Sequence, residues 1–442
     1  MRSTSRATRT AVVLAASALV LAACGSDTEE PAPADDPTTE ETSEATEEPT
    51  EDESSEAPAA KGDGTLTFGS LLPSTGDLAF LGPPEFAGVD LAVQDINEAG
   101  GVLGNEVVNV RGDSGDGTPD IAGGEVDKLL DAKADVIIGA AASGVSITVI
   151  DKITGAGAVH FSPANTSPDF DKPDVDPENL YFRTAPSDVL QGAVMANLAT
   201  EDGHSNIAIL ARQDSYGQAL ADVVEENFTN QGGTVAAKEL YDANASNFSS
   251  EVQAIAASEP DAVVLIAFNE TTQIIPDMIA EGIGPQDLQV YFVDGNTADY
   301  SEDFDPGTLE GVRATYPGAE LTGDFRDRML EINPRLTDFT YGPESYDAVV
   351  TSALAAIAAQ DDDGTAVGAK INDVTRGGEK CMTFADCAKL LEADPAADID
   401  YDGVSGPLEF GDNGSPTAAT IGIFEYKADN TYENVEYITG QI

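Results

Sequence analysis

The chain has 442 residues, with 80 acidic side chains against 21 basic ones and a formal net charge of −59. That balance disfavours nucleic acid and anionic membrane surfaces as partners, since both call for a basic face. Two histidines and three cysteines in the whole chain argue against a metal centre.

Arg2, Arg6 and Arg9 lead into an apolar run from Thr10 to Val20. A basic start before a short apolar core reads as an export signal, too short to span a bilayer as a mature helix. It ends in Leu21-Ala22-Ala23-Cys24-Gly25, which resembles the lipobox of bacterial lipoproteins. The resemblance implies removal of residues 1–23 and a diacylglycerol on Cys24, and two acyl chains anchor firmly. The plainer reading is an ordinary signal with an incidental cysteine. Residues 24–62 are almost all Glu, Asp, Thr, Ser, Pro and Ala. Such a segment cannot bury enough surface to offset its chain entropy, so it reads as a disordered tether of roughly 30–36 Å reach. An acidic partner-binding tail is the sharper alternative.

From Gly64 onward short β-rich runs alternate with amphipathic stretches. Strands are predicted at 65–72, 107–111, 136–139 and 159–162, with helices over 84–99, 121–132 and from about Ser143. A second series places strands at 207–210, 234–240, 262–267 and 290–293, and helices over 217–230, 250–257 and 271–281. This alternation implies α/β architecture, with parallel sheets covered by helices on both faces. About 380 residues exceed one ordinary core, so two doubly wound lobes are expected. After Tyr316-Pro317 the pattern turns helical, over 325–332, 345–359 and 384–393, and a strand pair at 406–410 and 420–426 closes the chain. Short crossings near 184, 317 and 405 form a three-segment hinge. Cys381 and Cys387 are six apart and, in an exported protein, read as a disulfide closing a surface loop; two free thiols are the alternative.

Two turns organise this pattern. Asp135-Val136-Ile137-Ile138-Gly139 breaks into Ala140-Ala141-Ala142-Ser143-Gly144-Val145, and Ala158-Val159-His160-Phe161 breaks into Ser162-Pro163-Ala164-Asn165-Thr166-Ser167-Pro168. Each follows a strand. A helix start leaves amide N–H groups unpaired and carries partial positive charge. Ser143 and Thr166 add hydroxyls, so two such turns side by side form a cup for an anion. The cup holds no His, Cys or Lys, which suits binding rather than reaction.

These stretches, with Gly69-Ser70-Leu71-Leu72-Pro73-Ser74-Thr75-Gly76, Ala92 to Gly104, Phe182 to Asp188 and Tyr341 to Ala348, resemble the leucine/isoleucine/valine-binding proteins. Those are extracytoplasmic receptors of branched-chain amino-acid ABC transporters with the type I periplasmic binding fold. The resemblance implies one lobe from 64–184 with 318–405, and a second from 185–317 with 406–442. It implies that Ser143, Gly144, Asn165 and Thr166 grip an α-carboxylate. The Ala164 carbonyl and Asp294 would take the ammonium. Tyr216 would wall the site, with Phe268, Asn269 and Leu81 around the side chain. Asn269 and Leu81 stand where the family has aromatics, and Asp294 is one methylene shorter than the family's Glu. The implied partners are a small ligand, ABC permease subunits and the membrane through the lipid, with the chain a monomer lacking any cofactor.

Each residue also has a plain structural reading. Ser143 suits a helix N-cap, Thr166 and Asp294 suit turns, and Tyr216 suits wall packing. Gly112-Asp113-Ser114-Gly115 copies a serine-protease motif, but neither His160 nor His204 sits in a matching motif. A hydrolase is therefore the weakest of the rivals. The others keep the fold and bind an amide, a urea or an aromatic or short-chain carboxylate, or serve as a sensory domain without a permease.

Overall fold

A computed structural model describes residues 62–117 and 120–442. The export signal, Cys24 and nearly all of the acidic segment lie outside the described residues. No described helix is long and apolar enough to cross a membrane.

The first series runs β1 (Thr67–Leu72), α1 (Gly82–Glu98), β2 (Val108–Asp113), α2 (Ala122–Asp131), β3 (Val136–Gly139), α3 (Ser143–Thr154), β4 (Val159–Ser162) and β5 (Tyr181–Arg183). Its strands form one sheet in the order β2-β1-β3-β4-β5, parallel throughout. β1, β3 and β4 are buried along their whole length. Helices cover both faces of the sheet, so even the polar side chains of these strands, Ser70, His160 and Ser162, are buried. α1 opens on Pro83 and Pro84, whose fixed φ suits a first turn. It stops at Gly100 and Gly101, at φ 117 and 79.

The second series runs α4 (Asp188–Glu201), β6 (Asn206–Arg212), α5 (Gly217–Asn230), β7 (Thr234–Tyr241), α6 (Ser249–Ala257), β8 (Ala262–Ile266), α7 (Thr271–Ala280), β9 (Gln289–Phe292) and β10 (Arg313–Pro317). The chain then returns to the first sheet through α8 (Gly323–Ile332), α9 (Gly342–Ala359), α10 (Gly364–Ile371), β11 (Glu379–Cys381), α11 (Phe384–Ala393) and β12 (Ile399–Tyr401). α8 and α9 pack on α1 in one apolar cluster that includes Phe325, Met329 and Val350. Finally β13 (Ala418–Tyr426) and β14 (Tyr432–Gln441) rejoin the second sheet, whose order is β14-β13-β10-β9-β8-β6-β7.

Three expectations need correction. The strand expected at 406–410 does not form; that stretch makes only isolated bridges, Asp402 to Pro407 and Phe410 to Pro416. Prolines lack the N–H that a ladder needs. The last hairpin is instead β13 with β14, antiparallel to each other and, through β13, to β10, so the second sheet is mixed. Residues 188–201, given no element in the sequence reading, form the helix α4.

Cys381 and Cys387 are bonded. Their separation of six residues closes a small loop, and a loop that short stabilises by about 2 kcal/mol. Reduction is expected to lower the melting temperature of the folded chain. An unchanged value would show that β11–β12 pairing alone holds this loop.

Candidate functional site

The two turns lie side by side because β3 and β4 are adjacent and parallel. Gly139 ends β3 at φ 114, where a Cβ would meet the Leu71 carbonyl at 1.9 Å; only glycine fits. α3 is capped by Ala142, which has no side-chain cap, so Ser143 is the first helical residue rather than the cap. Ser146 does the local work: its Oγ accepts from the Ala140 amide at 3.1 Å.

The second turn is fastened to the first by side chains. Ser162 Oγ donates to the Ala140 carbonyl at 2.7 Å and accepts from the Asn165 amide at 3.0 Å. Asn165 Nδ2 donates to the carbonyls of Ala140 and Ala141 at 3.1 and 2.8 Å, and its Oδ1 accepts from Tyr181 at 3.0 Å. Asn165 thus holds one turn to the other. Arg183, fully buried, donates to the carbonyls of Asn165 and Ser167 at 3.2 and 2.9 Å, to Ser415 at 2.8 Å and to Asp171 at 2.6 Å. With those carbonyls turned toward Arg183, the turn keeps its shape. Arg183→Met removes the buried cation from its ion pair with Asp171 and the side-chain donor from the Asn165 and Ser167 carbonyls, and is expected to cost about 3–5 kcal/mol. A denaturant midpoint unchanged by the substitution would contradict this role.

Across the cleft, Asp294 follows β9 and is 5% exposed. Its Oδ1 accepts from the Tyr216 hydroxyl at 2.6 Å and from Gln191 Nε2 at 3.1 Å, and its Oδ2 accepts from the Tyr341 hydroxyl at 2.8 Å. Three neutral side chains thus donate to the carboxyl, and the Gly295 amide beside it pulls the same way. Burial pushes the Asp294 carboxyl above the usual carboxylate range, against the pull of these hydrogen bonds. None of its bonded partners is a cation. The nearby Arg212 is committed elsewhere: it pairs with Glu270 at 2.9 Å and with Asp214, and lies 3.4 Å over the Phe268 ring. Phe268 stacks in turn on Tyr216, with centroids 5.6 Å apart.

One cavity joins the two halves. Leu78, Leu81, Ala141, Ala142, Ser143 and Ala164 line it from the first, and Tyr216, Phe268, Asp294 and Gly295 from the second, with Tyr341 closing it. Room for the centre of a water-sized sphere is about 10 Å³, enough for a single water. The cleft is shut, and Ser167 Oγ bridges it to the Ser215 carbonyl at 2.7 Å.

The cavity brings together Ser143, Ala164, Tyr216, Phe268, Leu81 and Asp294 from the sequence-derived set. Gly144 faces Asp214 and Ser215 instead. Thr166 is buried and donates to Asp188 Oδ2 at 2.9 Å, and Asn269 is exposed. The sequence reading assigned no role to Asp188, Gln191 or Tyr341. Tyr341 carried a local signal only in the structure: it holds φ 57, uncommon for a bulky residue and a frequent mark of a functional position. Among the decoys, Ser114 is buried and its Oγ donates to the Gly115 carbonyl at 2.8 Å. His160 is buried and stays neutral, its pKa pushed down to about 3 by burial.

A family match decides the wider identity: the periplasmic binding protein model matches residues 65–429. The chain belongs to the periplasmic binding protein family. This binding protein is 26% identical over 360 residues to the chemotactic signal transduction system substrate-binding protein BasB of Halobacterium salinarum, a match covering 78% of this chain and 83% of BasB. Its fold is that of the branched-chain amino acid transporter substrate-binding protein LivJ from Streptococcus pneumoniae, solved with isoleucine. Their TM-score is 0.68 at 18% identity, over 86% of this chain and 100% of LivJ. An ABC transporter solute-binding protein from R. palustris, solved with 4-hydroxybenzoate, gives a TM-score of 0.69 at 17% identity, over 86% and 98%. The resemblance read from the sequence is borne out at the level of the family, and the solved structures show the type I fold. Family membership implies an extracytoplasmic location and a solute-binding protein rather than an enzyme.

Proposed function

We propose that this binding protein is the receptor of an ABC importer for a branched-chain or related amino acid. In this reading Cys24 carries the lipid anchor, and the two sheets with their helices are lobes that part and close about the crossings near 184, 317 and 405. The turns at Ser143 and Ala164–Thr166 take the α-carboxylate, and Asp294 takes the ammonium. The observation that supports the reading most is Asp294 itself: a buried carboxyl with no bonded cation, facing the turns after β3 and β4 in one cavity. An uncharged donor cradle suits the other end, because it leaves no buried cation when the site empties. Splitting donors and acid between lobes couples binding to closure, since only the closed form makes both sets of contacts.

A thermal-shift panel of amino acids, benzoate, 4-hydroxybenzoate and isocaproate tests it. Ligand at 100 times its Kd stabilises the folded chain by about 2.7 kcal/mol. The largest shift is expected from a branched-chain or similar amino acid. Benzoate matching or exceeding every amino acid would replace the proposal with an aromatic-carboxylate receptor.

The similarity to BasB favours a second reading of the partner: the same ligand chemistry feeding a sensory system. Deleting the gene separates the two. An importer receptor costs uptake of labelled ligand, whereas a sensory receptor costs the response and leaves uptake intact.

A further inference from the structure

A second acid stands behind the ammonium end of the cleft. Asp188 opens α4 with no exposed surface. Its Oδ2 accepts from Thr166 at 2.9 Å, while its Oδ1 is buried with no hydrogen-bond partner. Gln191 lies one turn further along α4 and donates to Asp294 Oδ1 at 3.1 Å, and Gln191 Oε1 is also without a partner. The start of α4 therefore connects Thr166 on one side to Asp294 on the other through two side chains that each keep one buried oxygen without a donor.

We propose that Asp188 and Asp294 act as one buried acidic pair that holds a single proton in the closed cleft until a ligand cation takes the proton's place. This deepens the amino-acid reading and rests on it. Two carboxylates taken out of water repel each other, and the pair lowers its energy by keeping one proton. The other groups facing the pair do not neutralise it. Arg183 is a cation in electrostatic reach of Asp188, but its guanidinium is bonded to Asn165, Ser167, Ser415 and Asp171. Asp171 adds further negative charge. Tyr216 and Tyr341 donate to Asp294 and remain neutral, their own pKa values pushed up by burial and by these acids. Burial, and then the charge of Asp294, push Asp188 well above the usual carboxylate range.

When an ammonium enters, the carboxyl O–H of the pair breaks and the proton passes to bulk buffer. The pair goes from one negative charge to two, and the ligand supplies the compensating positive charge. An amine-free acid closing the same cleft leaves the proton in place. Asp188 thereby acts as a positioning residue. Ionised, it keeps the Thr166 hydroxyl donated to its Oδ2, which fixes the turn that carries Ala164.

Calorimetry of the wild-type chain with L-leucine and with isocaproate, its amine-free counterpart, tests this in buffers of differing ionisation enthalpy. Isocaproate is expected to bind with about one more proton taken up per site than L-leucine. Its affinity relative to L-leucine is then expected to rise by up to about tenfold for each pH unit from 8 to 5. Asp188→Asn is expected to shrink that difference toward zero while both ligands still bind; should this variant not fold, the wild-type comparison stands alone. Equal proton exchange for the two ligands, or no isocaproate binding at pH 5, would overturn the inference and leave the amino-acid reading in place. Failure of every amino acid in the panel would overturn both.

Discussion

Asp294→Asn is expected to weaken amino-acid binding by two to three and a half decades, with little loss of folding stability. The side chain keeps its size: one of the Tyr216 and Tyr341 hydroxyls, which now donate to different carboxylate oxygens, still finds the amide oxygen, and the other can turn to accept from the amide N–H. What disappears is the negative charge opposite the ligand's ammonium. Leaving a buried charge without its partner costs about 3–5 kcal/mol, and every 1.4 kcal/mol is tenfold in Kd. Calorimetry measures the loss, and a melting curve shows that the fold survives. A Kd changed by less than about threefold would remove Asp294 from the ammonium site, whatever the fate of the fold.

Melting temperature is expected to rise as pH falls from 8 to 5. Burial raises the carboxyl pKa of Asp347 to about 6, of Asp135 to about 7 and of Glu344 to about 8. It also pushes Glu85, Asp188 and Asp294 above their ordinary range. These groups keep their protons to higher pH folded than unfolded. Their contribution is fully present below the ordinary carboxyl range and is lost as pH rises through about 6 to 8. The net charge of −59 adds self-repulsion of the same sign. A gain on the order of 5 °C between pH 8 and pH 5 is expected. Asp113 works the other way: hydrogen bonds from Gly115, Ser74 and Thr75 hold it below the usual range. Stability therefore turns down again in stronger acid. A melting temperature that rose steadily from pH 5 to pH 8 would show these carboxyl groups to be ionised and solvated.

The parts of the site legible in the sequence share one physical cause. β3 and β4 are short apolar runs that break abruptly into small and hydroxyl residues, and that break marks both a strand end and an amide-rich turn. α5 and α11 form over the ranges that their periodicity and flanking residues predict. α4 was hidden because apolar residues surround most of it: Leu190, Val194, Met195 and Leu198 are all buried, so no polar face marks a helical period. Asp188 and Gln191 were hidden with it. β14 was missed because most of its side chains face solvent and only its pairing with β13 defines it. Asn165 shows the limit of reading a motif by position. Its neighbour Ala164 lines the cavity, while Asn165 turns away to bind two carbonyls of the adjacent turn. One residue's step along a turn reverses where a side chain points, and no pattern in the chain reports that.

A crystal structure with the amino acid that stabilises the protein most puts the two-ended grip to its shortest test. The α-carboxylate is expected within hydrogen-bond reach of Ser143 and the Ala164–Thr166 turn, with the ammonium on Asp294 Oδ2. A ligand reversed in the cleft, with its carboxylate toward Asp294, or seated elsewhere, would contradict it.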